Sequence, residues 1–323
     1  MAAAVIVNLY AGGGSARRRW PAVARLLEER LGPLPAHFTE GPGHAILLAY
    51  QLAGAGFDPL IAAGGDGTWN EVVNGVLSSA SGARVGLLPL AKGGDFARSI
   101  GLAGPRHALE TLAAGEVREA DVIRVRFRGP ASDSGERHFI NIASFGLGAE
   151  AALRVRGWSR YLPGRARYLA AALPTLAAGR GFDVRLWLDD AAPVEFHATP
   201  VALANGRYQG GGILIAPQAA IDDGLIDVTL VERVGLAEVA SNLRLLYSGA
   251  IYSHPKVHHW RAARVRAETE PAAPLELDGE PVGTLPLEAE VLPRALRLIW
   301  PAATAPLPEP PRTRIPTPRR PYS

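Results

Sequence analysis

Short apolar runs alternate with amphipathic segments through the first third of the chain. Four of these runs predict buried strands, near residues 4–9, 35–39, 59–63 and 84–88. Between them, apolar positions recur every three to four residues, which predicts helices near 17–31 and 43–53. This alternation is typical of a doubly wound α/β domain, in which ligands bind beyond the carboxyl ends of the parallel strands.

The pattern changes at about residue 119, after which β-like segments follow one another closely. They lie near residues 122–127, 138–143, 184–188, 196–204 and 225–231. Two helical stretches interrupt them, near 160–178 and 236–247, so we expect a β-rich, sandwich-like second domain. The last apolar run, at 295–300, is expected to return to the first domain. The predicted division is 1–118 with about 295–301, then 119–294, and a tail at 302–323.

Composition indicates ordered domains in a reducing compartment. The chain has 323 residues, 48% of them hydrophobic, and its lack of cysteine excludes disulfides, thiolate metal sites and cysteine nucleophiles. Lys and Arg number 34 against 31 for Asp and Glu, so the charge balance does not indicate a nucleic-acid partner. The tail is rich in proline and arginine, which predicts disorder; it either serves solubility alone or touches anionic lipid.

The sequence contains no apolar stretch that reaches the roughly 18 to 20 residues needed to span a bilayer. A shorter segment at 160–178 follows Trp158 and carries Tyr161 among several arginines. That composition is typical of an interfacial membrane element, although an ordinary packed helix with a basic edge has the same pattern. We expect a cytoplasmic protein in peripheral contact with the inner membrane face. The oligomeric state stays open, and a homodimer is among the alternatives.

One glycine-rich turn carries the first chemical signal. At 61–73 an apolar strand end runs through Gly64, Gly65 and Gly67 into a helical pattern. Glycines let backbone N–H groups approach a bulky anion, and the N-terminus of the following helix carries about half a positive charge. The stretch therefore predicts an anion site, although such turns occur in many nucleotide-binding folds and as plain tight turns.

A second turn of the same kind follows the next strand. Residues 87–98 contain adjacent glycines, and Asp95 lies there with the basic Lys92 and Arg98. A third glycine-rich turn, at 11–14, follows the first strand. Because all three turns follow parallel strands, we expect them to meet at one edge of the sheet.

These turns together resemble the lipid kinase family that includes diacylglycerol, sphingosine and ceramide kinases. The Gly-Gly-Asp-Gly-Thr turn at 64–68 is shared by that family with NAD kinases. Four further segments resemble it in the same order along the chain: Asn8 to Gly14, Thr39 with Gly43 to Ala45, the residues 205–228, and Leu277 to Glu280. The resemblance extends over nearly the whole chain up to about residue 300.

The resemblance implies a cleft between two domains, in which ATP donates its γ-phosphoryl group to the hydroxyl of a diacylglycerol-like or other long-chain lipid alcohol. It assigns nucleotide contacts to Asn8, Gly12, Thr39, Gly64, Gly65, Asp66, Gly67, Thr68, Trp69, Asn70 and Lys92. It assigns Mg²⁺ to the carboxylate of Asp223 and the carbonyls of Ala220 and Leu225, with Asp66 as an indirect link to that metal. Glu280 matches the general base. Without the resemblance, Asp278 and Glu280 would indicate only a β-turn.

Residues 91–94 depart from the family pattern, which reads Gly-Thr-x-Asn before the aspartate at 95. Lys92 stands where the family threonine binds nucleotide, and a lysine either contacts a phosphate as a point charge or impairs the site. The alternatives are an NAD kinase and a non-catalytic lipid- or nucleotide-binding relative. A dehydrogenase is disfavoured because the Gly-x-Gly-x-x-Gly fingerprint is missing after the first strand. The lipid acceptor is not specified by the sequence.

Overall fold

The computed structural model describes residues 2–91, 94–130, 133–158, 174 and 181–301. The first domain holds four parallel strands, β1 (Ala4–Val7), β2 (Ala36–Phe38), β3 (Leu60–Gly64) and β4 (Val85–Pro89), in the spatial order β2-β1-β3-β4. Its helices are α1 (Ser15–Leu31), α2 (His44–Gly54), α3 (Asp66–Ser79), α4 (Asp95–Ser99) and α5 (Pro105–Ala114). The expected strand and helix alternation is confirmed.

The first core forms because the central strands are apolar along their whole length. Every residue of β1, β3 and β4 is buried, as parallel strands covered on both faces require. Helices α2 and α3 pack closely against each other at Gly75. A Cβ atom on Gly75 would collide with the carbonyl oxygen of Ile46, so only glycine allows this approach. Helix α3 is thereby held rigidly behind the turn that follows β3.

The second domain is built mainly from antiparallel strands. These are β5 (Val117–Arg128), β6 (Ser134–Phe139), β7 (Ile142–Gly146), β8 (Phe182–Leu188), β9 (Val194–Ala204), β10 (Tyr208–Gln209), β11 (Ile213–Leu214), β12 (Ile226–Glu232), β13 (Val257–Ala262), β14 (Arg264–Glu270), β15 (Pro274–Leu277) and β16 (Glu280–Ile299). Its helices are α6 (Leu147–Trp158), α7 (Leu236–Ser241) and α8 (Leu245–Ser248), with a 3₁₀ turn at Ile251–Ser253.

The long strand β16 connects the two domains. Its first part pairs with β15, β14 and β5 in the second domain, and its end runs parallel to β4, where Leu298 faces Val85. The sheet is therefore continuous in the order β13-β12-β9-β7-β15-β16-β4-β3-β1-β2. Different parts of β16 lie in separate apolar cores, with Leu287 in one and Leu298 in another. The run at 295–300 does return to the first sheet, as expected.

Two predicted elements are divided in the structure. The strand predicted at 138–143 is interrupted between β6 and β7, because the N–H groups of Ile140, Asn141 and Ile142 donate to the carboxylate of Asp278. The helix predicted at 236–247 is split into α7 and α8. The side chain of Asn242 donates to the Glu238 carbonyl and competes with continuation of the helix.

Three predictions fall on parts of the chain that the structure does not describe. The interfacial segment at 160–178 lies outside the described residues except for residue 174, and the tail at 302–323 lies wholly outside them. Lys92 also lies outside. Within the residues that are described, no helix combines the length and apolar character needed to cross a membrane.

Candidate active site

The three glycine-rich turns meet at the carboxyl edge of the first sheet. A methyl group on Gly12 would lie 3.1 Å from Cβ of Ala91, and one on Gly65 would lie 3.2 Å from the same atom. The amide of Leu90 donates to the carbonyl of Gly64 at 2.8 Å, which ties the turn after β4 to the turn after β3. The turns after β1, β3 and β4 therefore form one surface, and their glycines are required for that close approach.

One hydrogen bond and one close contact organise the first turn of α3. Nδ2 of Asn8 donates to Oγ1 of Thr68 at 3.0 Å, and a Cβ atom on Gly64 would overlap the Thr68 side chain. Thr39 lies one strand away, where its amide donates to the carbonyl of Val7 at 2.9 Å and its side chain is buried. The structure thus brings Asn8, Gly64 and Thr68 together, with Thr39 at the neighbouring strand end.

Trp69 has a side chain that packs inside the first domain. Its indole Nε1 donates to the carbonyl of Ala62 at 3.1 Å, and the residue has no exposed surface. The ring also lies against Gly94, where a Cβ atom would be 2.7 Å from it. A contact between Trp69 and a nucleotide would therefore have to use the backbone. The predicted nucleotide contact of Trp69 is thereby limited to its backbone atoms.

Asp66 caps a different helix from its own. Its two carboxylate oxygens accept hydrogen bonds from the amides of Asp95 at 3.0 Å and Phe96 at 3.2 Å, at the N-terminus of α4. Burial raises the pKa of Asp66 to about 7, and the nearby Asp95 carboxylate acts in the same direction. The structure gives Asp66 this capping role between two turns and does not bring it to Asp223.

Asp95 reaches across the domain boundary. One carboxylate oxygen accepts from Nη1 of Arg98 at 2.7 Å, and the other accepts from the amide of Gly211 in the second domain at 2.7 Å. Burial raises the pKa of the Asp95 carboxyl group, and the two hydrogen-bond partners oppose that rise. The aspartate that the sequence singled out is therefore a contact between domains.

The Leu277 to Glu280 turn carries a second contact between domains, at Asp278. The buried Asp278 carboxylate accepts from Nδ2 of Asn70 at 2.8 Å, in addition to the amides of residues 140–142. Asn70 also donates to the carbonyl of His138 at 2.9 Å. Burial raises the pKa of Asp278. Through these two bonds the side-chain amide of Asn70, which is predicted to contact nucleotide, also joins α3 to the second domain.

Glu280, two residues farther along, lies in a more open position. A methyl group on Gly67 would be 3.3 Å from Oε1 of Glu280, so this carboxylate faces the nucleotide turn directly. Oε2 lies 3.5 Å from Nη1 of Arg137, and the Glu280 side chain is 27% exposed. A general base must reach the proton that it abstracts, and a partly exposed carboxylate beside the glycine turn at 64–68 would satisfy that need.

Glu71, Arg137 and Glu276 are site residues that sequence reasoning missed. The Glu71 carboxylate accepts from the amides of Gly43 at 2.9 Å and Ala45 at 3.1 Å, and burial followed by the Glu280 charge raises its pKa. An acid inside an apolar helical pattern was the available signal for Glu71. Glu276 similarly interrupts the apolar run of β15. The sequence offers no signal that Arg137 approaches Glu280.

The loop at 220–225, where magnesium was predicted, lies directly before β12 in the second domain. Oδ1 of Asp223 accepts from the amide of Leu225 at 3.1 Å, and its other oxygen contacts the Arg261 guanidinium. The neighbouring Asp227 carboxylate has a buried Oδ2 without a hydrogen-bond partner, 3.5 Å from Nε of Arg261. The donor set of one carboxylate and two carbonyls fits a magnesium ion that keeps several waters. Arg261 shares the carboxylate that the ion would use.

This loop and Glu280 belong to different parts of the second domain. The loop precedes β12 and Glu280 follows β15, with β9 and β7 between those two strands. Among the described residues, no group of three or more His, Cys, Asp and Glu side chains is arranged to hold a metal. The structure therefore brings Glu280 to the turn at 64–68, whereas the loop that carries Asp223 packs against the core of the first domain at Ile221.

Comparisons with known proteins agree with this architecture. The family model "Diacylglycerol kinase catalytic domain" matches residues 2–125, and "YegS C-terminal NAD kinase beta sandwich-like domain" matches residues 141–300. The "Diacylglycerol kinase" of Staphylococcus saprophyticus is 28% identical over 285 residues, covering 88% of this chain and 90% of the relative. The "Probable lipid kinase YegS-like" of Chromohalobacter salexigens is 32% identical over 269 residues, covering 81% and 82%.

A solved structure shows the same fold. The crystal structure of a diacylglycerol kinase from Bacillus anthracis superposes with a TM-score of 0.67 at 21% identity, covering 93% of this chain and 96% of that one. The expected pairing of an α/β domain with a β-sandwich-like domain is confirmed by the family models and by this likeness.

Proposed function

The chain belongs to the diacylglycerol kinase family of lipid kinases, and we propose that it phosphorylates the hydroxyl of a diacylglycerol-like or other long-chain lipid alcohol, using ATP and Mg²⁺. Lipid kinase activity follows from the family, and kinases of this kind use ATP. The class of acceptor and the dependence on magnesium are the proposal.

The observation that supports it best is the position of Glu280 against Gly67. This contact brings a partly exposed carboxylate of one domain to the phosphate-binding turn of the other. Phosphoryl transfer depends mainly on positioning and charge stabilisation, with one group to orient or deprotonate the nucleophile. A carboxylate at the edge of the phosphate site can accept a hydroxyl proton, and Arg137 holds it in place.

In this role Glu280 takes the proton of the acceptor hydroxyl while the hydroxyl oxygen forms a bond to the γ-phosphorus. The bond between that phosphorus and the bridging oxygen breaks, and ADP leaves with the electron pair. The products are a lipid phosphate monoester and ADP, and the proton passes from Glu280 to solvent. Atoms and charge therefore balance without another reactant.

The choice of helix for phosphate binding supports the same arrangement. The first-turn amides of an α-helix have no intrahelical partner and attract anions. At α4 the amides of Asp95 and Phe96 are already occupied by the Asp66 carboxylate. The fourteen-residue helix α3 begins at Asp66, directly beside Glu280. We therefore assign the nucleotide phosphates to the first turn of α3.

Magnesium would be held by Asp223 with the carbonyls of Ala220 and Leu225, and bound there it would neutralise acidic charge. Because the loop precedes β12 and Glu280 follows β15, the proposal gives the ion a supporting role where Ile221 packs against the first domain. The membrane lipid acceptor also implies peripheral contact with a membrane surface, which vesicle co-sedimentation tests.

The proposal is tested with radiolabelled ATP and the full chain. Acceptors are presented in mixed micelles, namely diacylglycerol, polyprenol, ceramide, a sphingoid base and phosphatidylglycerol, with NAD in a parallel reaction. We expect label in one of the lipids, with Mg²⁺ present and not with EDTA. Label in NAD alone would indicate an NAD kinase. No labelled product in any reaction would favour the non-catalytic alternative.

A further inference from the structure

Glu276 is a buried acid that the proposed chemistry does not use. It lies on β15 between Leu275 and Leu277, whose side chains belong to the core of the second domain, and only 2% of its surface is exposed. Oγ of Ser144 donates to Oε1 of Glu276 at 2.6 Å. Nε2 of Gln209 donates to the same oxygen and, at 2.8 Å, to Oγ of Ser144. Burial raises the pKa of Glu276 to about 7.

Gln209 is followed directly by three glycines, which have no side chains to hold their backbone in place. Gly210, Gly211 and Gly212 have φ values of +63°, +84° and +110°. Successive backbone N–H groups in a turn can form a concave nest that binds an anion. Here the anion is a protein carboxylate, because the amide of Gly211 donates to Oδ2 of Asp95 at 2.7 Å. We call residues 208–212 the glycine latch.

The glycine latch contacts helix α4, which borders the proposed nucleotide site. Asp95 is the first residue of α4, and the amides of Asp95 and Phe96 are held by the Asp66 carboxylate of the nucleotide turn. Arg98 pairs with Asp95 and also lies 5.3 Å from the centre of the Tyr208 ring. A continuous set of contacts therefore runs from Glu276, through the latch, to the turn at Asp66.

We propose that Glu276 is a positioning residue for the phosphoryl transfer proposed above: by anchoring Gln209, it holds the glycine latch on Asp95 and sets the spacing between the nucleotide turn and Glu280. Glycine segments lose more conformational freedom on ordering than other segments, so the latch needs a fixed end. A displacement of about 1 Å at a reacting centre can cost on the order of 100-fold in rate. An anchor far from the chemistry can therefore influence turnover.

Three variants separate anchoring from simple burial. Gln209→Ala removes the anchored side chain at a partly exposed position, and Glu276→Leu removes its partner. Each should lower kcat about 10-fold or more with little change in the KM for ATP, because the nucleotide turn itself is intact. Glu276→Gln keeps an oxygen that accepts from Ser144 and Gln209, and it should restore kcat to near the wild-type value. The double variant should be no slower than the single ones, since both remove one contact.

Thr229→Ala is the matched control. Thr229 is buried on β12, where its hydroxyl donates to the Ile215 carbonyl at 3.0 Å, and it has no contact with the latch. This variant should lose stability and keep kcat. Unchanged kcat in Gln209→Ala, or additive losses in the double variant, would overturn the positioning role.

Amide hydrogen exchange judges the latch independently of any acceptor. The amides of Gly211 and Gly212 should exchange at least about 10-fold faster in Gln209→Ala, because the nest is released from Asp95. Their exchange should be unchanged in Thr229→Ala. Equal exchange in Gln209→Ala and wild type would overturn the proposal, whereas a wild-type chain that labels no lipid would overturn the proposed function.

Discussion

Two acidic turns of the second domain look alike in sequence and differ in structure. Asp223 and Asp278 each precede a glycine next to a strand, Asp223 shortly before β12 and Asp278 directly after β15. Asp278 is buried and its carboxylate accepts four hydrogen bonds, one of them from the other domain. Asp223 is partly exposed and its carboxylate contacts Arg261 of the same domain. The comparison teaches that an Asp-Gly turn acquires its role from what packs against it.

The two carboxylates of the turn at 277–280 have different environments. Asp278 fixes the turn, and Glu280 is left partly exposed beside Gly67. A rigidly held neighbour keeps a reactive carboxylate in position without consuming its own hydrogen-bonding capacity. The loop at 220–225 contacts the first domain through an apolar side chain instead, because Ile221 packs in the core of that domain. The predictions below test this division, beginning with the largest effect.

Glu280→Gln should abolish most turnover. A general base typically contributes about 10²- to 10⁴-fold, so kcat should fall by that factor while ATP affinity changes little. The free energy of unfolding should stay within about 0.5 kcal/mol, because the side chain is partly exposed. Steady-state kinetics and nucleotide titration measure both. Glu268→Gln, at a partly exposed acid on β14 that pairs with Arg266, is the control and should retain activity; comparable losses in both variants would remove Glu280 from its assigned role.

Asp278→Asn should destabilise the protein far more than Asp223→Asn. The asparagine leaves buried amides without an acceptor, which costs about 2–5 kcal/mol in the free energy of unfolding. The pair of Asp223 with Arg261 is partly exposed and contributes about 0–1 kcal/mol. Urea unfolding of the two variants measures the difference. Equal losses would show that the two turns are structurally equivalent.

The free energy of unfolding should decline as the pH rises through the acid range, because Asp66 and Glu276 are buried acids. Burial raises the pKa of Asp66 and of Glu276 to about 7, so the folded state holds protons that the unfolded state releases near pH 4. Their contribution is complete below about pH 4 and is lost as the pH approaches 7, on the order of 3 kcal/mol for one such group.

Glu276→Gln should remove one part of this decline. The difference in unfolding free energy between that variant and the wild type should grow in the variant's favour from pH 5 to pH 8. Urea unfolding at several pH values measures it, with Glu268→Gln as a control that keeps the wild-type slope. A pH-independent difference would mean that Glu276 is already ionised in the folded protein.

Arg261→Gln should produce the smallest effect, a change in magnesium affinity at the loop 220–225. Removing the guanidinium frees the Asp223 carboxylate, and Mg²⁺ should bind about fivefold more tightly, as expected from the loss of a competing pair worth about 1 kcal/mol. Calorimetric titration measures this, and Asp223→Asn should abolish the binding. Equal magnesium affinity in Arg261→Gln and wild type would show that arginine and metal do not share the carboxylate.

Local patterns were sufficient for much of the fold and for part of the site. The alternating elements and the glycine turns depend on residues close in sequence, so the first sheet and the meeting of its turns could be anticipated. The exceptions are informative. The interruption at residues 140–142 depends on Asp278, more than a hundred positions away, and no local pattern reports such a partner.

The sequence by itself determined the two fold classes, the nucleotide turn and the acids available for chemistry. Tertiary structure alone decided which acid meets that turn. It set Glu280 beside Gly67, used Asn70 and Asp278 to join the domains, and left Asp223 on a separate loop. The physical reason is that burial and hydrogen-bond partners come from distant strands. Those partners determine whether a carboxylate joins the two domains, as Asp278 does, or is left available as the proposed base, as Glu280 is.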